Sequence, residues 1–291
     1  MKLSVKLCIA VLAAYSLAAG FGEVQYRVAR CRDITPAYNA VDTEARYLPP
    51  LSRSVTTAPD GTVRGHFHPL GTDNLGRDVA LRLLQGSRIA FHVGIMTSLI
   101  AIPLGVLLGL FGGYFGGRAD SFVVWLCATV GSMPGLLFIL AISLVVGQGL
   151  VGIYMGIGLT TWVGVCRTIR AEVMKHRERA YVLAARTLGY SHLRIMFRHI
   201  LPNVAHIILI QFSIRFPSAV STEVFISFLG IGVQGEPSWG VMINNARIRL
   251  WQGVWWEMAF TTLAIFTLVL VFNHLADYLR DRLDPALRAE R

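Results

Sequence analysis

Between Ser121 and Cys166 the chain carries no Asp, Glu, Lys or Arg. That run is long enough to cross a bilayer twice, since one crossing takes about 20 mainly apolar residues. Gly147-Gln148-Gly149 offers the break between two such crossings. Other charge-free runs are Leu7–Gly22, Ile89–Gly117, His199–Ile214 and Met258–Ala276, the third of these continuing past Arg215 and Glu223 to about Gly235. The runs are continuous rather than short and alternating, so they read as helices and not as barrel strands. The expectation is an all-α, polytopic membrane protein with six transmembrane helices. Residues 1–22 form the first, 23–88 an extracytoplasmic segment, 89–279 a core of five helices with a loop at about 171–202, and 280–291 a cytoplasmic tail.

Composition agrees with this reading. Hydrophobic residues make up 54% and charged residues 15%, against about 25% charged in soluble domains. A net charge of +10 would suggest nucleic acid in a soluble protein. Here it sets orientation, and no nucleic-acid partner is expected. The stretch Arg167–Arg198 holds eight basic residues and only Glu172 and Glu178 as acids, which places that short loop in the cytoplasm. Counting six spans outward puts both termini there too, and Arg280, Arg282, Arg288 and Arg291 suit a cytoplasmic tail. Lys2 and Lys6 before a short apolar run, with small residues at Ala18-Ala19-Gly20, keep a cleaved signal peptide open as the rival to a first span. Cys8, Cys31, Cys127 and Cys166 show no CxxC spacing, so no disulfide framework or zinc site is expected.

The 23–88 segment is too long for a bare connection. Pro49-Pro50 and Pro59-Asp60-Gly61 are turn signals, and Gly71-Thr72-Asp73-Asn74-Leu75-Gly76-Arg77-Asp78 is dense in turn residues. His66 and His68 lack a third ligand nearby, so no metal site is assigned. Gly105, Gly109, Gly113 and Gly117 recur at spacing four, the pattern of a close helix–helix face. In the basic loop, Tyr181, Ala184, Ala185 and Leu188 fall at helical spacing, Gly189 breaks the pattern, and Leu193, Met196, Phe197 and Ile200 form a second stripe. A surface helix with an apolar stripe needs a cover, either membrane lipid or a partner protein.

The run from Tyr181 to Gly189, continuing to Ile200-Leu201-Pro202-Asn203, resembles the EAA loop of bacterial ABC importer permeases. His68-Pro-Leu-Gly71-Thr72-Asp73-Asn-Leu-Gly76-Arg77-Asp78 resembles an extracytoplasmic motif of the second permease in the oligopeptide, dipeptide and nickel importers. Phe228–Gly232, Pro237–Gly240, Trp255-Trp256 and Leu279–Pro285 agree in order. The resemblance implies a type I importer permease in a bacterial inner membrane, with the loop acting as a coupling helix. Ala184, Ala185, Gly189, Leu201 and Pro202 match the ATPase-coupling motif, while Leu183 stands where the family has a glutamate. The implied partners are a homologous second permease, two ATPase subunits and an extracytoplasmic peptide-binding protein. ATP and Mg would sit on the ATPases, with no cofactor on this chain. The chain's lysines are Lys2, Lys6 and Lys175, and none follows a glycine. A GxxxxGK[ST] phosphate loop is therefore absent, and no catalytic residue is expected.

Arg215 and Glu223 lie at membrane depth, about 12 Å apart along a helix. Charges there usually face a cavity or each other, and both are read as candidates for a translocation pathway, with helix support as the alternative. Pro217 is expected to kink that helix and free backbone carbonyls, and Met133-Pro134-Gly135 to bend the third span. The implied transport is of peptides by ATP-driven alternating access. A nickel importer of the same family is the runner-up, followed by an ion-coupled carrier or channel.

Overall fold

The computed structural model describes residues 3–57, 63–233 and 235–283. The Pro59-Asp60-Gly61 turn, Asp284-Pro285 and the tail arginines Arg288 and Arg291 lie outside the described residues. The elements are α1 (Leu3–Arg32), β1 (Ser52–Thr57), β2 (Val63–His68), α2 (Val79–Phe115), α3 (Gly117–Gly131), α4 (Gly135–Val146) and α5 (Leu150–Arg177). They continue with α6 (Ala180–Thr187), α7 (His192–Arg194), a π-turn over Ile195–Ile200, α8 (Leu201–Phe228), α9 (Trp239–Arg247) and α10 (Trp256–Leu283). The strands pair antiparallel, with Ser54 opposite His66, and form a hairpin between α1 and α2.

Among the described residues, five stretches are long and apolar enough to cross a membrane: α1, α2, α5, α7–α8 together and α10. The third expected span is different. Helices α3 and α4 meet at an 89° bend. At 15 and 12 residues they reach only about 22 and 18 Å, short of the roughly 30 Å of hydrocarbon. The bend lies where Ser132 ends α3, its N–H bonded back to Ala128 O at 2.9 Å, and Pro134 precedes α4. Proline has no N–H to continue α3 and disfavours helical geometry at Met133. Pro217, by contrast, sits inside an unbroken α8.

Helix ends also differ from the charge-free runs. Helix α1 continues to Arg32 and α2 begins at Val79, so both helices reach into the 23–88 segment. Helix α5 extends to Arg177 and α10 through Leu283, into the expected loop and tail. Absence of charge marks only the part that suits hydrocarbon, whereas the backbone ladder continues until a cap or breaker stops it.

The chain forms two compact units, one of Met1–Val93 with Val220–His274, the other of Gly94–Ala219 with Leu275–Arg291. In the first, Tyr15 on α1 donates to Ala264 O on α10 (3.0 Å), and Trp239 Nε1 on α9 donates to Leu83 O on α2 (3.0 Å). The segment with a rival reading as a leader thus has defined packing partners. Arg88, 2% exposed, pairs with Glu236 and lies 4.0 Å over the Tyr26 ring. In the second unit, the glycine face of α2 lies against α5. A Cβ on Gly105, Gly109 or Gly113 would come 2.8 Å from the carbonyl oxygen of Trp162, Cys166 or Arg170 respectively. Gly117 does not join this face, since nothing lies near its missing side chain. Backbones this close exchange side-chain volume for helix contact.

Candidate functional site

The basic segment begins inside α5, which ends at Arg177. Helix α6 stops in a Schellman arrangement: Tyr190 N–H donates to Ala185 O (3.1 Å), Gly189 N–H to Arg186 O (3.0 Å), and Gly189 has φ +76°. That left-handed conformation suits glycine. Ser191 then caps α7 by accepting from Arg194 N. Of the coupling-motif residues, Ala185 is buried, Leu201 half-buried, and Ala184, Gly189 and Pro202 exposed.

Val182 and Ala185 face inward, while Tyr181, Leu183, Ala184 and Leu188 are exposed, Leu188 by 72%. The expected first stripe is therefore mostly outside, and Val182 was not in it. The second stripe is split as well. Ile195, Met196 and Ile200 are buried, but Leu193 and Phe197 remain exposed. The cause is the π-turn, whose wider winding brings positions i, i+1 and i+5 to one face where an α-helix would bring i, i+3 and i+4.

The inward side chains join a continuous apolar core. It runs from Val182 and Ala185 through Ile195, Met196 and Ile200 to Val165, Ile169 and Val173 on α5, and to Val106, Leu110 and Tyr114 on α2. Polar ties reinforce it. Tyr114 Oη lies 2.9 Å from His192 Nδ1, Tyr181 Oη 2.8 Å from His176 Nδ1, and Arg177 donates to Gly113 O at 3.3 Å. Burial raises the Tyr181 phenol above its ordinary pKa, opposed by Arg179, so it keeps its proton near neutral pH. Asp120 on α3 holds Arg170 on α5 in a bidentate pair, the Nη2–Oδ2 contact being 2.6 Å. A small displacement of α6 would be carried into α2, α5 and α8, because packed cores transmit strain.

Higher on α8, Arg215 lines a small cavity with Thr97, Ser98, Ala101, Ile157, Thr161, Ser218 and Ala219. Its Nε is buried without a hydrogen-bond partner. Glu223, expected with it on a pathway, is enclosed instead. It is 1% exposed, accepts from Ser227 Oγ at 2.6 Å and is bonded by the Ser238 side chain. Ser238 also caps α9 by accepting from Val241 N (3.2 Å), and Ser227 Oγ accepts from Val233 N (3.3 Å). Glu223 therefore fastens the α8–α9 connection. The hydroxyl groups around both charges were not foreseen, because Ser and Thr inside apolar helices carry no spacing signal of their own.

The motif from Gly71 to Asp78 forms a clasp in the first unit. Thr72 and Asp73 are almost fully buried. Thr72 Oγ1 donates to Ala45 O and accepts from Leu48 N, and Trp256 Nε1 donates to Thr72 O at 3.0 Å. Asp73 accepts from Leu75 N (2.8 Å), Arg77 N (3.0 Å) and Arg77 Nε (2.7 Å). A Cβ at Gly71 would meet Leu48 O at 2.6 Å. Ser54 Oγ lies 2.9 Å from His68 Nε2, and His68 Nδ1 lies 2.8 Å from Asp78 Oδ2. These three, with His66, line an open cavity of about 440 Å³. Their order matches a nucleophile relay, but the other Asp78 oxygen accepts from Leu81 N and caps α2. His68 thereby ties the hairpin to that cap.

Residues 101–289 match the family described as binding-protein-dependent transport system inner membrane component. The chain is 39% identical over 222 residues to a dipeptide transport system permease protein of Bacillus subtilis, covering 76% of this chain and 69% of that one. It is 36% identical over 223 residues to a glutathione transport system permease protein of Pectobacterium atrosepticum (76% and 74% covered). An oligopeptide transport system permease protein of B. subtilis is 35% identical over 222 residues (76% and 72% covered). In fold, the chain resembles a crystal structure of an amino acid ABC transporter with a TM-score of 0.51 at 15% identity, covering 70% of this chain and 94% of that one. The chain thus belongs to the binding-protein-dependent transport system inner membrane components, the permease subunits of ABC importers.

Proposed function

We propose that this permease subunit carries small peptides inward, with α6 as the coupling helix that docks on an ATPase. The observation that carries this reading is the division of α6. Val182 and Ala185 are anchored in the core shared with α2, α5 and α8, while Tyr181, Leu183 and Leu188 stand outside. An exposed apolar edge on a mechanically connected helix suits a protein groove. The permease names of the relatives favour peptides over nickel. The assembly would contain a homologous second permease, two ATPases that bind ATP and Mg, and an extracytoplasmic peptide-binding protein. ATP closes the ATPase dimer, α6 moves, and the permease pair opens outward to receive peptide. Hydrolysis resets it inward. Arg215 lines the path, and the Gly71–Asp78 clasp holds the extracytoplasmic segment.

The test is affinity capture of the tagged chain from mildly solubilised native membranes, with mass spectrometry of what accompanies it. A second permease and P-loop ATPases are expected, with ATPase recovery falling about tenfold in Gly189→Arg, the effect of about 1.4 kcal/mol in docking. Unchanged ATPase recovery and uptake in that variant would remove α6 from the coupling role.

A further inference from the structure

The cavity at Arg215 has a charge imbalance that packing alone does not explain. Its lining contains one guanidinium, the hydroxyls of Thr97, Ser98, Thr161 and Ser218, and no carboxylate. Ser98 is 3% exposed, and its Oγ has no hydrogen-bond partner. Thr161 Oγ1 already donates to Ile157 O at 2.8 Å. Arg215 Nε and Ser98 Oγ therefore stand as buried donors without acceptors. A cation away from water is costly unless an anion compensates it.

Gly164 on α5 makes the room for this charge. A Cβ there would lie 2.5 Å from Arg215 Nη2, so any larger residue displaces the guanidinium. The free space is about 10 Å³ for the centre of a water-sized body, which admits one small group.

We propose that Arg215 and Ser98, in the space left by Gly164, form a binding site for a compact monoanion. The occupant is one oxygen end of a solute carboxylate, or a free halide that holds the place between transport events. The carboxylate half rests on the peptide reading above, and the anion site itself does not. Arg215 supplies charge and N–H donors, with its Nε shut off from water, and Ser98 an O–H donor. A peptide entering by its C-terminus would exchange its carboxylate for the resident anion.

The experiment is ³⁵Cl NMR on the full chain, purified in non-ionic detergent with whatever partners it retains. Excess chloride line broadening is expected in the wild type, at least fivefold lower in Arg215→Gln and in Gly164→Ala, and partly kept in Arg215→Lys. Gly164→Ala retains the charge and favours the helix, so it separates loss of the site from loss of the fold. No broadening in the wild type, or equal broadening in Arg215→Gln, overturns the proposal. N-acetylglycine is then added against its amide. Displacement of chloride by the acid alone assigns the site to carboxylates, and displacement by neither assigns it to halide. In cells, uptake of a free-acid dipeptide relative to its C-terminal amide should fall about tenfold in Ser98→Ala. Equal loss of both overturns the carboxylate assignment. Absence of any peptide uptake by the wild type would instead remove the peptide reading and leave the chloride result standing.

Discussion

At Gly76 a Cβ would overlap the main-chain carbonyl of Asp42, and φ is +72°. Both facts act on the folded state, since an unfolded chain accepts alanine there readily. Gly76→Ala should therefore destabilise the 33–78 segment by roughly 2 kcal/mol or more, combining left-handed strain with displaced backbone. Limited proteolysis would read this as faster cleavage between residues 33 and 78. A similar rate to wild type would mean that the clasp relaxes around the new methyl. Gly189 tests the opposite balance. Its φ is +76° but nothing stands near its missing side chain. Gly189→Asn should fold almost normally, because asparagine tolerates this conformation, while Gly189→Arg adds bulk and charge beside the exposed face of α6. A difference between the two in ATPase recovery isolates docking from folding, and equal recovery would mean that docking is indifferent to that bulk.

Among the elements, the π-turn at Ile195–Ile200 sets which side chains of the basic segment turn inward. It holds one residue more than an α-helix would need for the same turn. Deleting Phe197, which is exposed, should let the ladder close as α-helix and rotate α6–α7 against α8 by about 100°. Membrane insertion is expected to persist, with ATPase capture reduced about tenfold. Normal capture would show that the docking face tolerates rotation. This element also explains what the sequence could and could not disclose. The apolar runs located the long helices, and Gly147–Gly149, Gly189 and Pro134 marked breaks, because backbone restrictions are local. The face that α6 and the π-turn present was not legible, since it depends on winding set by tertiary packing. Arg215 and Glu223 were conspicuous as charges, but their different surroundings depend on hydroxyls brought in from distant positions, among them Ser98, Thr161 and Ser238.

At the scale of the whole molecule, the five long stretches are odd in number, and the α3–α4 pair is the sixth element only if its bent path crosses the bilayer. If the basic segment is cytoplasmic, as its charge predicts, α8 and α10 return the C-terminus there in either case. Reporter fusions after Leu283 and before α1 should both give cytoplasmic signals if the pair crosses. Signals on opposite sides would show that it turns back. The 89° bend at Ser132–Pro134 is thus a matter of parity. It decides which compartment the hairpin and the His68–Asp78 cap face, and hence whether that clasp meets incoming solute or the interior of the cell.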